Sequence, residues 1–176
     1  MFRFSVVFLT LLASCMAQQL RMPDLESQRA AMKKLAFLVG KWSGEARLLR
    51  GSGEPVEMAQ TEEAQYKLDG LILMIEGIGR TKQDGKAALQ ALGILSYDDA
   101  TGTYQMRAYN DGRYLETEVR LRGDGRGLTW GFSFGEIKTS SVLRLTEEGD
   151  WTEAAEITIG SQPTRKLMEL RVRREK

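Results

Sequence analysis

Histidine is absent from this sequence, cysteine occurs once, and no apolar run reaches the length of a membrane-spanning helix. Each absence removes a class of function. Without an imidazole there is no Ser-His-Asp triad, no Cys-His pair and no histidine-based zinc site. With Cys15 as the only thiol there is no intrachain disulfide, so the fold must rest on its core. The apolar stretch from Phe4 to Leu12, broken only by Ser5 and Thr10, falls short of the roughly 20 residues needed to cross a bilayer.

That stretch instead has the length of a signal-peptide core, so residues 1–17 are read as a leader and the chain as exported, periplasmic or secreted. Two processing routes remain open. Cleavage after Ala17 would make Gln18 the first residue. Alternatively, Leu12-Ala13-Ser14-Cys15 resembles a bacterial lipobox, in which Cys15 becomes acylated and anchors a lipoprotein to the membrane. The roughly 160 residues that follow suffice for one domain with a sizeable interior.

An excess of one charge is also missing. Arg3 is the only charge in the leader, and the remainder balances 24 Asp and Glu with as many Lys and Arg. A nucleic-acid partner held by phosphate contacts is therefore not expected. The basic run Arg165, Lys166, Arg171, Arg173, Arg174 and Lys176 is interspersed with Leu167, Leu170 and Val172, as in a final strand with one solvated face.

Residues 18–40 are read as a short N-terminal segment and one amphipathic helix. Pro23-Asp24 opens the helix, Leu25, Met32, Leu35, Ala36 and Val39 share a face, and Gly40 stops it. The open end of a barrel is where its apolar stripe would be buried. From residue 41 to residue 176 turn signals punctuate segments of strand length. They fall at Gly51-Ser52-Gly53, Asp69-Gly70, Asp84-Gly85, Thr101-Gly102, Asp111-Gly112, Asp124-Gly125, Gly135-Glu136, Glu148-Gly149 and Gly160-Ser161. The pattern predicts an all-β protein of about ten antiparallel strands in up-and-down order, closed into a barrel, with a two-sheet sandwich as the competing architecture.

Phe37-Leu38-Val39-Gly40-Lys41-Trp42-Ser43-Gly44-Glu45 resembles the opening of bacterial calycin-like, lipocalin-like proteins of unknown function that are distantly similar to nitrobindin-type heme-binding β-barrels. Leu68-Asp69-Gly70-Leu71, Ile75-Glu76-Gly77, Arg107-Ala108-Tyr109 with Gly112-Arg113-Tyr114, and Trp130-Gly131-Phe132 resemble the same group, in the same order. The resemblance implies a ten-stranded barrel with an internal cavity and a helix near one mouth, and no established activity. Nitrobindin-type barrels hold heme iron through a histidine, which is lacking here. No heme and no other cofactor is expected. Met74, Met106, Met168, Tyr66, Tyr97, Tyr104, Tyr109 and Tyr114 are explained as core filling or cross-strand aromatics.

Few residues then carry chemistry. Asp98-Asp99 and Glu147-Glu148-Asp150 sit at turns without calcium-loop spacing, so no metal site is assigned. Gly77-Ile78-Gly79 is a strand feature. Glu76 lies in the apolar run Leu71 to Ile78, where an unpartnered carboxylate is costly to bury, so it faces either solvent or a partner. Arg107 and Tyr109 are candidate partners, Glu156 sits among apolar neighbours, and Trp130 and Phe132 could form an apolar wall. Outward charges on alternating strands explain the same residues. The hairpin at 110–113 decides for two of them. A two-residue Asp111-Gly112 turn, the better local signal, puts Arg107 opposite Glu116 on the surface, whereas a three-residue Asp111-Gly112-Arg113 loop would let Arg107 and Tyr109 line a cavity, as the ligand site needs.

Three function classes follow. The first is a barrel binding a small apolar or amphipathic ligand through Glu76, Arg107, Tyr109, Trp130, Phe132 and Glu156. The second is an enzyme using Glu76 with Arg107 and Tyr109. The third is an envelope interaction protein with a filled barrel.

Overall fold

The computed structural model describes residues 22–49, 53–110 and 112–176. The leader with Cys15, most of the turn signal at Gly51-Ser52-Gly53, and Asp111 lie outside the described residues.

Helix α1 runs Leu25–Lys33. Asp24 caps it by accepting the Ser27 N–H at 3.0 Å, and Ser27 donates its hydroxyl back to Asp24 at 2.7 Å. The helix ends earlier than its apolar periodicity suggests. A separate 3-10 turn covers Ala36–Leu38, and Gly40 opens the first strand instead of stopping the helix. The break brings Met32, Leu35 and Leu38 together at zero exposure, and the Trp42 indole N–H donates to the Leu38 carbonyl at 2.8 Å.

Ten strands follow: β1 Gly40–Leu48, β2 Val56–Lys67, β3 Ile72–Thr81, β4 Ala87–Asp98, β5 Thr103–Asn110, β6 Arg113–Leu121, β7 Gly127–Phe134, β8 Ile137–Leu145, β9 Trp151–Ile159 and β10 Arg165–Arg174. Each pairs antiparallel with its sequence neighbours, and β1 pairs with β10, so the sheet closes into a barrel rather than the alternative sandwich. Alternation then sorts the side chains. In β2, Met58, Gln60, Glu62 and Ala64 face inward, while Glu57, Ala59 and Thr61 face out.

α1 closes one end of the barrel. The Ala31 and Met32 carbonyls of its last turn accept the Lys34 and Leu35 N–H groups at 3.0 and 2.9 Å, and two inward tyrosines add a second donor to each. Tyr66 donates to the Met32 carbonyl at 2.7 Å and Tyr104 to that of Ala31 at 2.8 Å. At the start of the helix, Asp99 accepts from the Asp24 N–H and the Gln28 amide at 3.0 and 2.6 Å. Arg29 bonds the Asp69 carbonyl and pairs with its carboxylate, both at 2.9 Å, steadying a turn in which Leu68 and Asp69 adopt positive φ of 49° and 54°. Asp98, beside Asp99, accepts the Ala100 N–H at 2.8 Å, and no group of three potential metal ligands occurs among the described residues.

One seam differs from the rest. β6 and β7 pair only at Arg120↔Thr129 and Leu121↔Leu128, whereas β7 and β8 pair continuously from Gly127↔Arg144 to Phe134↔Ile137. Beyond those two pairs the Thr117 hydroxyl bridges the seam, donating to the Gly131 carbonyl at 2.7 Å.

Candidate ligand cavity with two interior carboxyl groups

The end of the barrel away from α1 leads into a cavity of about 250 Å³. Its wall is mostly apolar: Ile75, Leu89, Leu95, Met106, Leu128, Trp130, Phe132, Trp151 and Met168 contribute from six strands. Glycine and alanine at Gly77, Ala91, Gly93 and Ala108 keep the space from being filled. Large apolar side chains also stand exposed at this end, with Phe134 81% accessible and Leu115 and Ile137 partly so.

Into this apolar space project Glu62 and Glu153. Both follow from strand alternation, in phase with Met58 and Ala64 on β2 and with Trp151 and Ala155 on β9. Glu62 is only 9% exposed. One of its oxygens accepts the Gln60 amide at 2.8 Å. The room for it comes from β3, because a Cβ at Gly77 would lie 2.7 Å from a Glu62 oxygen and one at Gly79 would lie 2.6 Å from that of Gln60. The Gly77-Ile78-Gly79 strand feature is therefore a notch for two polar side chains.

No Lys or Arg lines the cavity among the described residues. Burial, together with the neighbouring charge of Glu153, raises the Glu62 carboxyl to about 8, against which the Gln60 hydrogen bond acts. Burial alone raises Glu153 to about 7. Glu153 stays partly accessible where it borders the cavity and has no hydrogen-bond partner among the described residues. Two further polar atoms are buried without partners here: the indole N–H of Trp151 and the side-chain oxygen of Gln60. Trp151 meets Trp42 edge-on, ring centres 5.6 Å apart, at the floor of the cavity.

The sequence-based candidates divide between two faces. Trp130 and Phe132 line the cavity. Glu76 stands opposite Glu63 and Leu92 on the outer face, and Glu156 is exposed opposite Ser140 and Lys166. The hairpin takes the two-residue register, with Arg107 opposite Glu116 and Tyr109 opposite Tyr114. This is the register of the better local turn signal, and not the three-residue alternative that would have let Arg107 and Tyr109 line the cavity. Arg107 pairs with Glu116 at 3.2 Å on the surface. The Tyr109 ring packs on that of Tyr114 at 5.5 Å, also outside, although Tyr109 borders the mouth. Glu76 and Tyr109 share a shallow outer depression, but Arg107 does not join them. The interior pair Glu62 and Glu153 was missed. Its signal was the phase of each strand, legible from Met58, Ala64 and Tyr66 in β2 and from Trp151, Ala155 and Ile157 in β9.

No protein-family model matches the sequence, and no curated protein matches it. The fold is shared with Rv2717c from M. tuberculosis, at a TM-score of 0.63 and 14% identity, over 83% of this chain and 98% of that one. It is also shared with the S-type phycobiliprotein lyase CPES from Guillardia theta, at a TM-score of 0.58 and 9% identity, over 89% and 94%. At such identities the likeness is one of fold: this chain is a closed ten-stranded antiparallel barrel of the calycin-like kind.

Proposed function

We propose that this protein binds a small amphipathic molecule inside its barrel, the apolar part against Trp130, Phe132 and Met106 and the polar part at Glu62 and Glu153. The observation that carries the reading is the cavity itself, about 250 Å³ of mainly apolar space holding two carboxyl groups with no cation beside them on its wall among the described residues. Isolated buried carboxyls destabilise a fold, and such groups concentrate where a ligand or substrate completes them. Apolar walls with a few placed polar groups are the usual make-up of a small-molecule site.

The two other classes find less support. An enzyme built on Glu76 with Arg107 and Tyr109 would need an assembled trio, and Arg107 is committed to Glu116. An interaction protein with a filled barrel would not keep an open interior. We place the barrel outside the cytoplasm on the strength of the leader at residues 1–17 alone, and intact mass distinguishes cleavage after Ala17 from acylation at Cys15.

The test is mass spectrometry of the purified protein under native and then denaturing conditions, combined with a fluorescence titration of the neutral probe N-phenyl-1-naphthylamine. The reading expects a small molecule released on denaturation, or saturable one-to-one binding of the probe that a bulky Gly93→Leu variant abolishes. Protein that carries nothing and gives no saturable probe signal would overturn it.

A further inference from the structure

Resting on that reading, we propose that the cavity selects ligands with a cationic nitrogen head, an organic ammonium on an apolar tail, seated between Glu62 and Glu153. Among the described residues that line the space, the ionisable groups are the carboxyls of Glu62 and Glu153 and the phenol of Tyr109 at the mouth, and none is a cation. The two carboxyls come from strands far apart in sequence, β2 and β9, which in the closed barrel are separated only by β1 and β10, close enough for the charge of Glu153 to act on Glu62. A head placed between them meets hydrogen-bond acceptors from both sides. The side-chain oxygen of Gln60, a residue 1% exposed whose amide donates to Glu62, also lacks a partner among the described residues and is a further acceptor beside that carboxyl.

The neighbours of each carboxyl leave no competing cation. Around Glu62 stand Trp42 on β1, Gln60 on its own strand and Gly77 on β3, and around Glu153 stand Leu143 on β8 and Leu170 on β10. On the β1 and β10 side Lys41 pairs with Glu63 at 3.9 Å, and beside Trp42 stands Arg174. It stacks 4.1 Å over Trp42 and donates to the Phe37 and Val39 carbonyls at the helix end. An anionic head would meet two acids and no positive charge. A divalent metal would need more oxygen donors than two carboxyls provide. An ammonium supplies N–H donors and charge together, and charge-assisted hydrogen bonds in a desolvated site are the strong ones. Because the empty cavity holds its carboxyls partly protonated, the ammonium enters as those protons leave.

The experiment compares n-octylammonium, n-octanol and n-octanoate by calorimetric titration at pH 7, in two buffers of different ionisation enthalpy. The proteins are the wild type and a Glu62→Gln/Glu153→Gln double variant. The expected result is that octylammonium binds the wild type at least tenfold more tightly than octanol, that octanoate binds least, and that protons are released with the amine. The double variant should keep octanol binding and lose the preference for the amine. Octanol equal to or tighter than octylammonium, or a preference that survives in the double variant, overturns the cationic head while leaving the ligand-binding reading intact. Failure of all three to bind overturns both. A variant that no longer binds octanol is replaced by the single Glu153→Gln, for which a loss of the amine preference of at least threefold is required.

Discussion

Glu62 and Gly77 stand directly opposite each other on β2 and β3, and the carboxyl of one occupies the place that a side chain on the other would take. A methyl at Gly77 would lie 2.7, 2.8 and 3.1 Å from the three carboxyl atoms of Glu62. Gly77→Ala should therefore displace the Glu62 head toward the cavity while leaving the strand conformation allowed. The expected cost is about 1 to 3 kcal/mol of stability, read by urea denaturation, with a changed Glu62 titration in carbon-13 spectra of the side-chain carboxyls. An unmoved Glu62 resonance would contradict the packing argument.

The interior carboxyls also set a pH dependence. Both have ordinary values near 4.5, and in the barrel they rise to about 8 for Glu62 and about 7 for Glu153. Between these limits the folded chain holds protons that the unfolded chain has released, so stability falls as pH rises. Their contribution is fully present below about pH 4.5 and is lost by about pH 8, a change on the order of a few kcal/mol for the pair. Urea midpoints at pH 5, 7 and 9 should decline in the wild type and flatten in the Glu62→Gln/Glu153→Gln variant; equal slopes in the two proteins would refute the assignment.

Asp150 gives the opposite sign. Its side chain is nearly covered and receives Arg171 at 2.7 Å and Arg173 at 3.1 Å. The Arg171 hydrogen bond, against the cost of burial and with the charges of both arginines, holds it below the usual 3.8. This contribution is present above that value and disappears as pH falls through the lowered one. Asp150→Asn should unfold earlier than wild type at pH 7, with the gap narrowing as pH falls below 3.8, as followed by circular dichroism.

Hemin should associate only weakly and without a defined stoichiometry. The inward tyrosines Tyr66 and Tyr104 have their hydroxyls on the carbonyls of α1, Tyr109 and Tyr114 stack outside, and Met106 and Met168 are the thioethers on the cavity wall. Iron needs an axial donor, and a lone thioether holds the ferric ion poorly. A sharp one-to-one Soret band that disappears in Met106→Leu or Met168→Leu would return the protein to the heme-binding class.

The β6–β7 seam predicts where the wall opens first. With pairing confined to Arg120↔Thr129 and Leu121↔Leu128, amides of Tyr114 to Glu118 and of Trp130 to Phe134 that face the seam should exchange before those of β1 to β3. Thr117→Val removes the hydroxyl bridge to Gly131, at a cost of about 1 kcal/mol, and should speed that exchange without affecting β1. Uniform exchange around the barrel would contradict the weak seam.

The barrel was legible because its turns and strands alternate with little ambiguity. Each strand from β2 to β9 lies between two successive turn signals read from the sequence. Helix α1 was legible at Asp24 and misread at its end, because the spacing of Leu35 and Val39 fits a helix as well as it fits the 3-10 turn that tucks Leu38 under the barrel. The interior was harder. In Leu71 to Ile78 both phases of the strand are apolar, so nothing local shows which way Glu76 points. Glu156 looked buried because Ala155 and Ile157 flank it, yet in a strand flanking residues face the other side. For Arg107 the shorter of two turns was the stronger local signal, and it is the one the chain adopts.

Closure through β1 and β10 gives the cavity a late birth. Their ladder runs from Trp42↔Arg174 to Leu48↔Met168, and Arg174 donates to carbonyls 135 and 137 positions before it. A contact of such sequence separation carries the largest loop-closure entropy in the molecule and is met late in folding. Until it forms, an open meander leaves Glu62, near one end of the sheet, and Glu153, near the other, each in water at its ordinary acidity. The acid pair is thus not written into any hairpin, and it comes into being only when the last strand meets the first.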